Sequence, residues 1–598
     1  MNSDNSIGTN KTGYNRFLLL VAGLGGLLYG IDVGIISGAL PYLQATFTLP
    51  DGSQLSSQQV SLIVAAVLLG TVISTLFAGM LADWFGRRTM LSFSGILFVV
   101  SIPMIALAHS YSLLFSGRIL QGISGGLIGV AAPLYLAECL GASSRGKGTG
   151  IFQWLLVIGI NVAALVGLYY SHVVDDVAKL GDAAKIFAAK ESAWRDIFWS
   201  TLPPGILFVI GSFMVAESPR WLFRRGKIEA ARAALLRSRS PEQAEIELNE
   251  MEKTAAEEKS TTSNAGESLL SRKYVIPFLL ACIILSCNQA TGINSAIGYN
   301  TTILIQAGLG DKPAHLGSII FNAVNFFATI VAVILVDRKG RKFLLSIGTA
   351  GIILSMLCVG LLFHNTEKQR VDVKEAMQSM VSSNQTLTLT FDQQTATNLL
   401  SASTLQHVDA STPKSLVIIY SYGDFSAATP AERSDDASAK AITLTREDCI
   451  PANKVIAFFK NPFADLDAAK TAPLKIDNAL VTPVPDERNG WFTAIALYIY
   501  MAFFAVGPGV CVWLALSELM PTRIRSNGMS IALLINQTVS TTIAAIFLPA
   551  VGKYGYSTLF FFFAGCTVIY FITAAFFLPE TKGKTLEEIE EYFEGAKK

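Results

Sequence analysis

Two charged residues stand inside long apolar runs, where a charge is unusual. Asp32 lies within LLYGIDVGIISGAL, and Arg118 lies within SGRILQGISGG. An ionised side chain in lipid is costly, and an opposite charge beside it offsets part of that cost. We therefore predict that Asp32 and Arg118 form a pair, and that a proton binding to Asp32 would release Arg118. A permanent structural salt bridge is the alternative.

Amide side chains are concentrated in the middle of several other apolar runs. An amide both donates and accepts hydrogen bonds, so a group of amides suits a neutral ligand rich in hydroxyl groups. Tyrosine and tryptophan rings can pack against the C–H surface of such a ligand. For any single amide, a hydrogen bond between two helices is an equally good explanation. The candidate ligand-contacting residues are Tyr29, Gln153, Asn288, Gln289, Asn294, Tyr299, Asn325, Trp513, Asn536 and Gln537.

A second group of charged residues recurs in ordered pairs at the ends of apolar runs. The pattern D-x-x-G-R-[RK] begins at Asp83 and again at Asp337, and a Glu seven residues before an Arg also occurs twice. Motifs repeated in the same order indicate a chain built from two related halves. We interpret these residues as a gate of inter-helix salt bridges on the cytoplasmic side. They are Asp83, Arg87, Arg88, Glu138, Arg145, Glu217, Arg220, Asp337, Arg341, Glu518, Arg525 and Glu580.

The composition places these residues in a membrane protein. Of the 598 residues, 51% are apolar and only 15% are charged, whereas about 25% are charged in typical soluble domains. A membrane helix needs about 20 mostly apolar residues. The chain is therefore predicted to be an all-α membrane protein with twelve transmembrane helices in two six-helix halves. The runs lie near 17–43, 60–82, 89–109, 112–138, 149–170, 197–216, 274–300, 315–336, 343–363, 491–515, 527–549 and 556–578.

The positions of Lys and Arg predict the orientation. No Lys or Arg occurs between Arg16 and Arg87, whereas basic residues follow the second and eighth runs. Because basic loops favour the cytoplasm, both termini are predicted to be cytoplasmic, in a plasma or bacterial inner membrane. The predicted parts are the N-terminus 1–16, the N-terminal half 17–216, the linker 217–273, helices seven to nine 274–363, an insert 364–490, helices ten to twelve 491–578 and the C-terminus 579–598.

The spacing of the repeats locates that insert. The two D-x-x-G-R patterns are 254 residues apart, whereas Glu138 and Glu518 are 380 apart. The surplus of 126 residues must lie between helices nine and ten. Residues 365–489 are polar, with alternating Thr and several prolines, which predicts an extracytoplasmic, β-rich domain. A smaller surplus at 171–195 predicts an outer loop with a short amphipathic helix.

Several classes of function find no support in the composition. A net charge of +1 gives no indication of a nucleic-acid partner. Seven scattered cysteines and five histidines form no metal-binding pattern, and no phosphate-binding loop or nucleophile motif occurs. We therefore predict no enzyme activity, no cofactor and no metal. The predicted partners are a small neutral solute, a proton and the lipid bilayer, with a monomeric transport unit.

Eight segments together resemble the sugar porter family of the major facilitator superfamily. They are GMLADWFGRR, GRILQGISGG, PLYLAECLGASSRG, AESPRWL, NQATGIN, VDRKGRK, GPGVCVWLALSE and PETKGKTLEE. The resemblance covers the chain except the insert, and it implies the major facilitator fold, alternating access and a central sugar site. It matches six candidates to sugar-contacting positions of the family, namely Gln153, Gln289, Asn294, Asn325, Trp513 and Asn536.

The resemblance also bears on coupling and on the identity of the solute. Asp32 matches the titrating Asp of proton-coupled members, such as the bacterial xylose symporter, where facilitative glucose carriers usually have Asn. Three positions depart from the family pattern: Asn288 replaces a Gln, Gly298 replaces a Tyr, and Gln537 stands where Trp is common. The expected function is proton-coupled symport of a hexose, pentose or inositol. A facilitative uniporter and a non-transporting nutrient receptor are the alternatives.

Overall fold

The computed structural model describes residues 3–49, 54–140, 142–260, 272–403, 412–436, 441–451, 464–512 and 525–580, with a few isolated residues between and after these ranges. Within them, twelve helical segments are long and apolar enough to cross a membrane, which confirms the predicted number of spans. We call the side of the helix bundle that carries the insert the insert face. The opposite side, which carries the segment between the two halves, is the linker face.

Seven helices form the six spans of the N-terminal half. They are α1 Ser3–Thr46, α2 Ser57–Phe85, α3 Arg87–Ala106, α4 Tyr111–Cys139, α5 Ala142–Ala178, α6 Ala183–Trp199 and α7 Leu202–Met214. A capping box between Ser56 and Gln59 begins α2. The helix predicted within 171–195 belongs to the sixth span and not to a separate loop, because α6 buries Ile186 and Trp194 and leads directly into α7.

The linker and the first part of the C-terminal half follow. The linker contains α8 Pro219–Arg224, α9 Ile228–Ser238 and α10 Pro241–Ser260. Spans seven to nine are formed by α11 Arg272–Ala290, α12 Ile293–Gly298, α13 Asn300–Gln306, α14 Asp311–Lys339 and α15 Arg341–Glu367. The seventh span is interrupted at Gly292, whose φ of +82° is a conformation that favours glycine.

The insert is a small domain of strands and short helices. Its strands are β1 Val371–Asp372, β2 Leu387–Leu389, β3 Lys414–Tyr422, β4 Phe425–Ala428, β5 Glu432–Arg433, β6 Ile442–Leu444 and β7 Leu474–Pro483. Its helices are α16 Lys374–Ser379, α17 Gln393–Ser403, α18 Arg446–Cys449 and α19 Leu466–Ala469.

One antiparallel sheet organises the insert, with β3 at its centre. β7 pairs with one edge of β3, β4 and β5 pair with the other, and β1 extends the sheet beyond β7. β3 occupies the centre because its sequence KSLVIIYSY is nearly all buried, whereas β7 alternates between buried and more exposed positions along much of its length. β2 and β6 form a separate antiparallel pair.

Three further helices complete the C-terminal half. They are α20 Glu487–Phe504, α21 Arg525–Tyr554 and α22 Tyr556–Ile572. Two of them continue in π-helical turns, Ala505–Gly509 after α20 and Thr573–Phe577 after α22. Pro508 lies in the first of these turns, where it lacks the amide hydrogen that a regular α-helix would use.

The apolar core is shared at one face and divided at the other. Near the insert face, one cluster of buried apolar residues contains members of both halves, including Leu40, Val64, Ile297, Leu304 and Phe547. Near the linker face, each half has a cluster of its own. The N-terminal cluster includes Leu127 and Leu136, and the C-terminal cluster includes Leu285 and Val512. The two halves therefore pack against each other mainly on the insert side.

Glycines allow the helices around the candidate proton site to approach closely. A side chain at Gly30 of α1 would collide with the backbone of Leu156 on α5, and one at Gly122 of α4 would collide with the backbone of Val67 on α2. Such contacts replace the hydrophobic effect, which does not drive helix association within lipid. They bring α1, α2, α4 and α5 together around Asp32.

Candidate proton and solute site

The structure brings Asp32 and Arg118 together, as the sequence predicts. Their side chains are almost fully buried, and Arg118 Nη1 lies 3.8 Å from Asp32 Oδ1. Neither carboxylate oxygen of Asp32 has a hydrogen-bond partner among the described residues. Among the described residues, the only charged contact of Asp32 is therefore the 3.8 Å contact with Arg118, which is too long for a hydrogen bond.

Arg118 has closer partners than Asp32. Its Nη1 donates a 2.6 Å hydrogen bond to Gln121 Oε1, and its guanidinium lies over the ring of Phe198. Gln121 was not singled out from the sequence, although it stands three residues after Arg118, the spacing that brings two side chains onto one face of a helix. Gln121 therefore holds the guanidinium more closely than Asp32 does.

Four polar side chains on two spans form a connected amide site. Gln289 Nε2 donates to Asn536 Oδ1 at 3.2 Å, and Asn294 Nδ2 donates to Gln289 Oε1 at 2.9 Å. Asn294 also donates to Ser540 Oγ at 2.6 Å, a partner that the sequence did not single out. Asn536 Nδ2 has no partner among the described residues. This group can therefore rearrange its hydrogen bonds around a hydroxylated ligand.

Other predicted ligand contacts lie outside this hydrogen-bonded group. Asn288 is buried, with its Oδ1 unpartnered in the described part of the chain. Asn325 and Gln537 are partly buried, and Gln153 is exposed on α5. Tyr29 packs beside Gly125 of α4, close to Asp32. Trp513 lies outside the described residues.

Tyr299, a predicted ligand contact, is enclosed by protein groups in this structure. Its ring is completely buried and stacks on Phe547 with centroids 4.6 Å apart, and its hydroxyl donates to Ala544 O at 3.0 Å. These contacts close the insert face between spans seven and eleven, so the ring is covered by protein in this state. The next residue, Asn300, is a candidate that sequence reasoning missed: it is buried and its amide atoms have no partner among the described residues.

The charged motifs at the linker face bind within the N-terminal half. Arg87 is buried; its Nη2 donates to Glu138 at 3.0 Å and lies 2.8 Å from Asp83. Ser218 also donates to Glu138. Glu217 accepts hydrogen bonds from the backbone N–H groups of Arg87 and Arg88, at 2.9 and 3.0 Å.

Glu217 therefore binds the N-terminus of α3 and not Arg220, which is exposed. The reason is that the first amides of a helix lack intrahelical partners and attract an anion. The C-terminal half repeats this contact, since Glu580 accepts from the backbone of Arg341 and Lys342 at 3.1 and 3.2 Å. The side chains of Arg145, Asp337 and Arg525, and residue Glu518, lie outside the described part.

Polar contacts join the two halves at the insert face. Tyr42 of α1 donates to Asp311 of α14 at 2.6 Å and stacks on His315. Ser37 Oγ and Thr301 Oγ1 lie 3.2 Å apart. A neutral hydrogen bond contributes about 1 kcal/mol, and one to a charged group such as Asp311 about 1.5–3 kcal/mol.

A family model described as "Sugar (and other) transporter" matches residues 18–388 and 478–593. The chain belongs to this sugar transporter family. This match confirms the predicted sugar porter family. It also confirms the prediction that the protein is a transporter and not an enzyme. The unmatched segment, 389–477, is the middle of the insert, so this sugar transporter carries a domain that the family model does not include.

This sugar transporter is similar to curated transporters in sequence and to a solved transporter structure in fold. Probable inositol transporter 2 of Arabidopsis thaliana is 29% identical over 98% of this chain and 92% of the relative. The human proton myo-inositol cotransporter is 26% identical over 96% of this chain and 80% of the relative. The xylose transporter XylE from E. coli, in a partially occluded inward open conformation, has a TM-score of 0.63, with 21% identity over 96% of this chain and 100% of that chain. It confirms the major facilitator fold.

Proposed function

We propose that this sugar transporter couples the entry of a proton to the uptake of a neutral sugar or polyol, a hexose, a pentose or an inositol. The observation that carries the proposal is Asp32, a buried carboxylate 3.8 Å from Arg118 with no hydrogen-bond partner among the described residues. The human relative is by name a proton myo-inositol cotransporter, which supports both the proton and the class of solute.

The amide site supports a neutral solute. Gln289, Asn294, Asn536 and Ser540 offer donors and acceptors but no charge, and a sugar hydroxyl needs both. An anionic or cationic solute would leave its charge uncompensated in this group, which is costly in a buried site. A hydroxylated ring can instead take over the hydrogen bonds that these four side chains now make with one another.

The proton acts through the Asp32–Arg118 pair. When Asp32 is charged, it attracts Arg118, and the pair favours one packing of α1 against α4. A proton on Asp32 removes that attraction and the cost of a buried charge, so it favours the alternative packing. Because Gln121 continues to hold Arg118, the guanidinium need not move far when the proton arrives.

Sidedness follows from the charge distribution. The linker face, with its basic motifs, lies in the cytoplasm together with both termini. The insert lies on the opposite, extracytoplasmic side of the membrane. In that orientation the shared core closes the outer side, and the divided cores belong to a state that opens inward. Asp32 then gives its proton to the cytoplasm after the solute has left.

Uptake into proteoliposomes tests the proposal. We expect accumulation of myo-inositol, D-glucose or D-xylose to rise with an inward proton gradient and to collapse when a protonophore is added. A thermal-shift screen of the same solutes identifies the ligand, because binding to the native state raises its stability. Accumulation that is indifferent to the gradient would contradict the proposal.

A facilitative uniporter is the second candidate. The observation that favours it is the 2.6 Å hydrogen bond from Arg118 to Gln121, which gives Arg118 a structural role independent of Asp32. In that case Asp32 only stabilises the packing of α1, and solute equilibrates without being concentrated. Equilibration at the same rate with and without protonophore would favour this candidate.

A further inference from the structure

A cavity lies between the insert and the helix bundle, apart from the amide site. Its volume is about 440 Å³, and its walls come from three parts of the chain: the N-terminal half at Tyr42 and Lys190, the C-terminal half at Thr302 and Tyr556, and the insert at Glu432. Small-molecule pockets span about 300–1,000 Å³. The cavity is therefore large enough for a single sugar or inositol ring.

Packed side chains separate this cavity from the amide site. Leu548 of α21 contributes to the floor, and its backbone N–H donates to Ser61 Oγ on α2 at 3.1 Å. Below it, the stacked rings of Tyr299 and Phe547 join spans seven and eleven. A molecule in the cavity thus occupies a place of its own, and it reaches the amide site only when the halves separate.

The charges around the cavity exclude an anion. Five acidic residues and two basic residues line it. Both basic residues are engaged: Lys190 binds Asp436 at 2.9 Å, and Arg433 binds Asp435 at 2.8 Å. An anionic ligand would meet mainly carboxylates. No group of His, Cys, Asp or Glu among the described residues is arranged to hold a metal ion.

Two of the polar side chains in the cavity wall have unused hydrogen-bonding capacity among the described residues. Thr302 is 9% exposed, and its hydroxyl has no hydrogen-bond partner in the described part of the chain. Glu432 lines the same cavity, and no hydrogen bond or ion pair of its carboxyl is found among the described residues. Burial raises the pKa of Glu432 to about 7; the charge of Asp436 adds to the rise and Lys190 opposes it. A carboxyl in this range both donates and accepts hydrogen bonds.

We propose that this cavity is a second binding site for a neutral polyhydroxylated molecule of the sugar or polyol class, with Glu432 and Thr302 as its polar contacts and the insert as its lid. The inference rests on the proposed function for the class of ligand. The side chains of Tyr42 and Tyr556 also contribute to the walls.

The site has a consequence for transport. Its walls belong to both halves, and the Lys190–Asp436 contact joins the insert to the N-terminal half. The cavity is therefore complete only while the insert face is closed, and a ligand bound there favours the closed state. A high concentration of solute on the insert side should slow reopening and so inhibit uptake.

Equilibrium binding to the purified full chain in nanodiscs tests the inference, with radiolabelled myo-inositol, D-glucose and D-xylose as separate probes. We expect the chain to bind two molecules of the transported probe. One should remain after Gln289→Ala with Asn536→Ala, which removes the amide site. One should also remain after Glu432→Ala with Thr302→Val, or after Ala431→Phe, which fills the cavity from the insert. Glu375→Ala, at an exposed position of α16, is the control and should bind two.

Uptake measurements separate the two proposals. Inhibition by high solute concentration should be present in the wild type and absent in Ala431→Phe, a variant that does not alter either polar contact. One bound molecule per chain, with proton-driven uptake intact, would overturn the second site alone. Two bound molecules in every cavity variant would also overturn it. Absence of both binding and uptake for all three probes would overturn it together with the proposed function.

Discussion

The two faces of this transporter are held together in different ways. At the insert face, residues of both halves share one apolar core, and hydrogen bonds such as Tyr42 to Asp311 cross between them. At the linker face, the strongest contacts stay within one half: Arg87 binds Glu138, and Glu217 binds the start of α3. The two halves thus contact each other mainly at the insert face, whereas the linker-face motifs join elements of one half.

This difference assigns distinct roles to the two sets of polar residues. The contacts between the halves described above are hydrogen bonds and apolar packing, and the insert adds one ion pair to the N-terminal half, Lys190 with Asp436. Contacts within a half must survive the transition, so they are buried, charge-assisted and multiple. The contact of a Glu with the start of a helix occurs in both halves, at Glu217 and at Glu580, and each copy lies within its own half.

Locking the insert face should have the largest effect. Ser37→Cys combined with Thr301→Cys places two thiols where the native oxygen atoms are 3.2 Å apart, within reach of a disulfide. Because opening of this face is obligatory for transport, oxidation should reduce uptake at least about tenfold, and a reductant should restore it. The single variants are controls for the seven native cysteines. Full uptake by a demonstrably cross-linked protein would contradict the comparison.

Removing a partner of Arg87 should distinguish buried from exposed contacts at the linker face. Glu138→Gln leaves a buried guanidinium without its buried counter-charge, which should lower stability by about 3–5 kcal/mol. Asp83→Asn removes a carboxylate that is 62% exposed, which should cost less than about 1 kcal/mol. The midpoint of thermal unfolding in detergent measures both. An equal loss of stability in the two variants would contradict the prediction that the buried contact of Arg87 contributes more than the exposed one.

A smaller, pH-dependent effect is expected at Glu432 in the insert. Its folded-state pKa of about 7 lies above the ordinary value of 4.5, so the folded chain binds this proton more tightly than the unfolded chain. Stability should therefore fall as the pH rises from about 4.5 to 7, by up to about 3 kcal/mol. Glu432→Gln should unfold at a higher temperature than the wild type at pH 8 but not at pH 4.5. Glu375→Gln is the matched control, and the same difference at both pH values would contradict the assignment.

Local sequence patterns were sufficient for the spans and for part of the candidate site. Twelve apolar runs predicted the twelve spans. Asp32 and Arg118 were paired on energetic grounds, since two charges in lipid need each other. Gln289, Asn294 and Asn536 were singled out as amides within apolar runs, and the structure joins them by hydrogen bonds.

Other contacts could not be predicted because nothing local encodes them. Lys190 and Asp436 are 246 residues apart and meet only because the insert folds over the bundle. Glu217 was expected in an inter-helix salt bridge, but the amides at the start of a distant helix offer an anion several donors at once. Tyr299 was expected at a ligand, and in this state its ring is completely buried and stacks on Phe547, 248 residues further along the chain.

The most direct test of proton coupling compares accumulation with exchange in proteoliposomes containing the Asp32→Asn variant. Asn keeps the shape of the side chain but binds no proton, so the variant should exchange labelled solute across the membrane and fail to concentrate it under an inward proton gradient. Asp83→Asn, a carboxylate at the exposed linker face, should still concentrate the solute. An Asp32→Asn protein that concentrates solute as the wild type does would contradict the account.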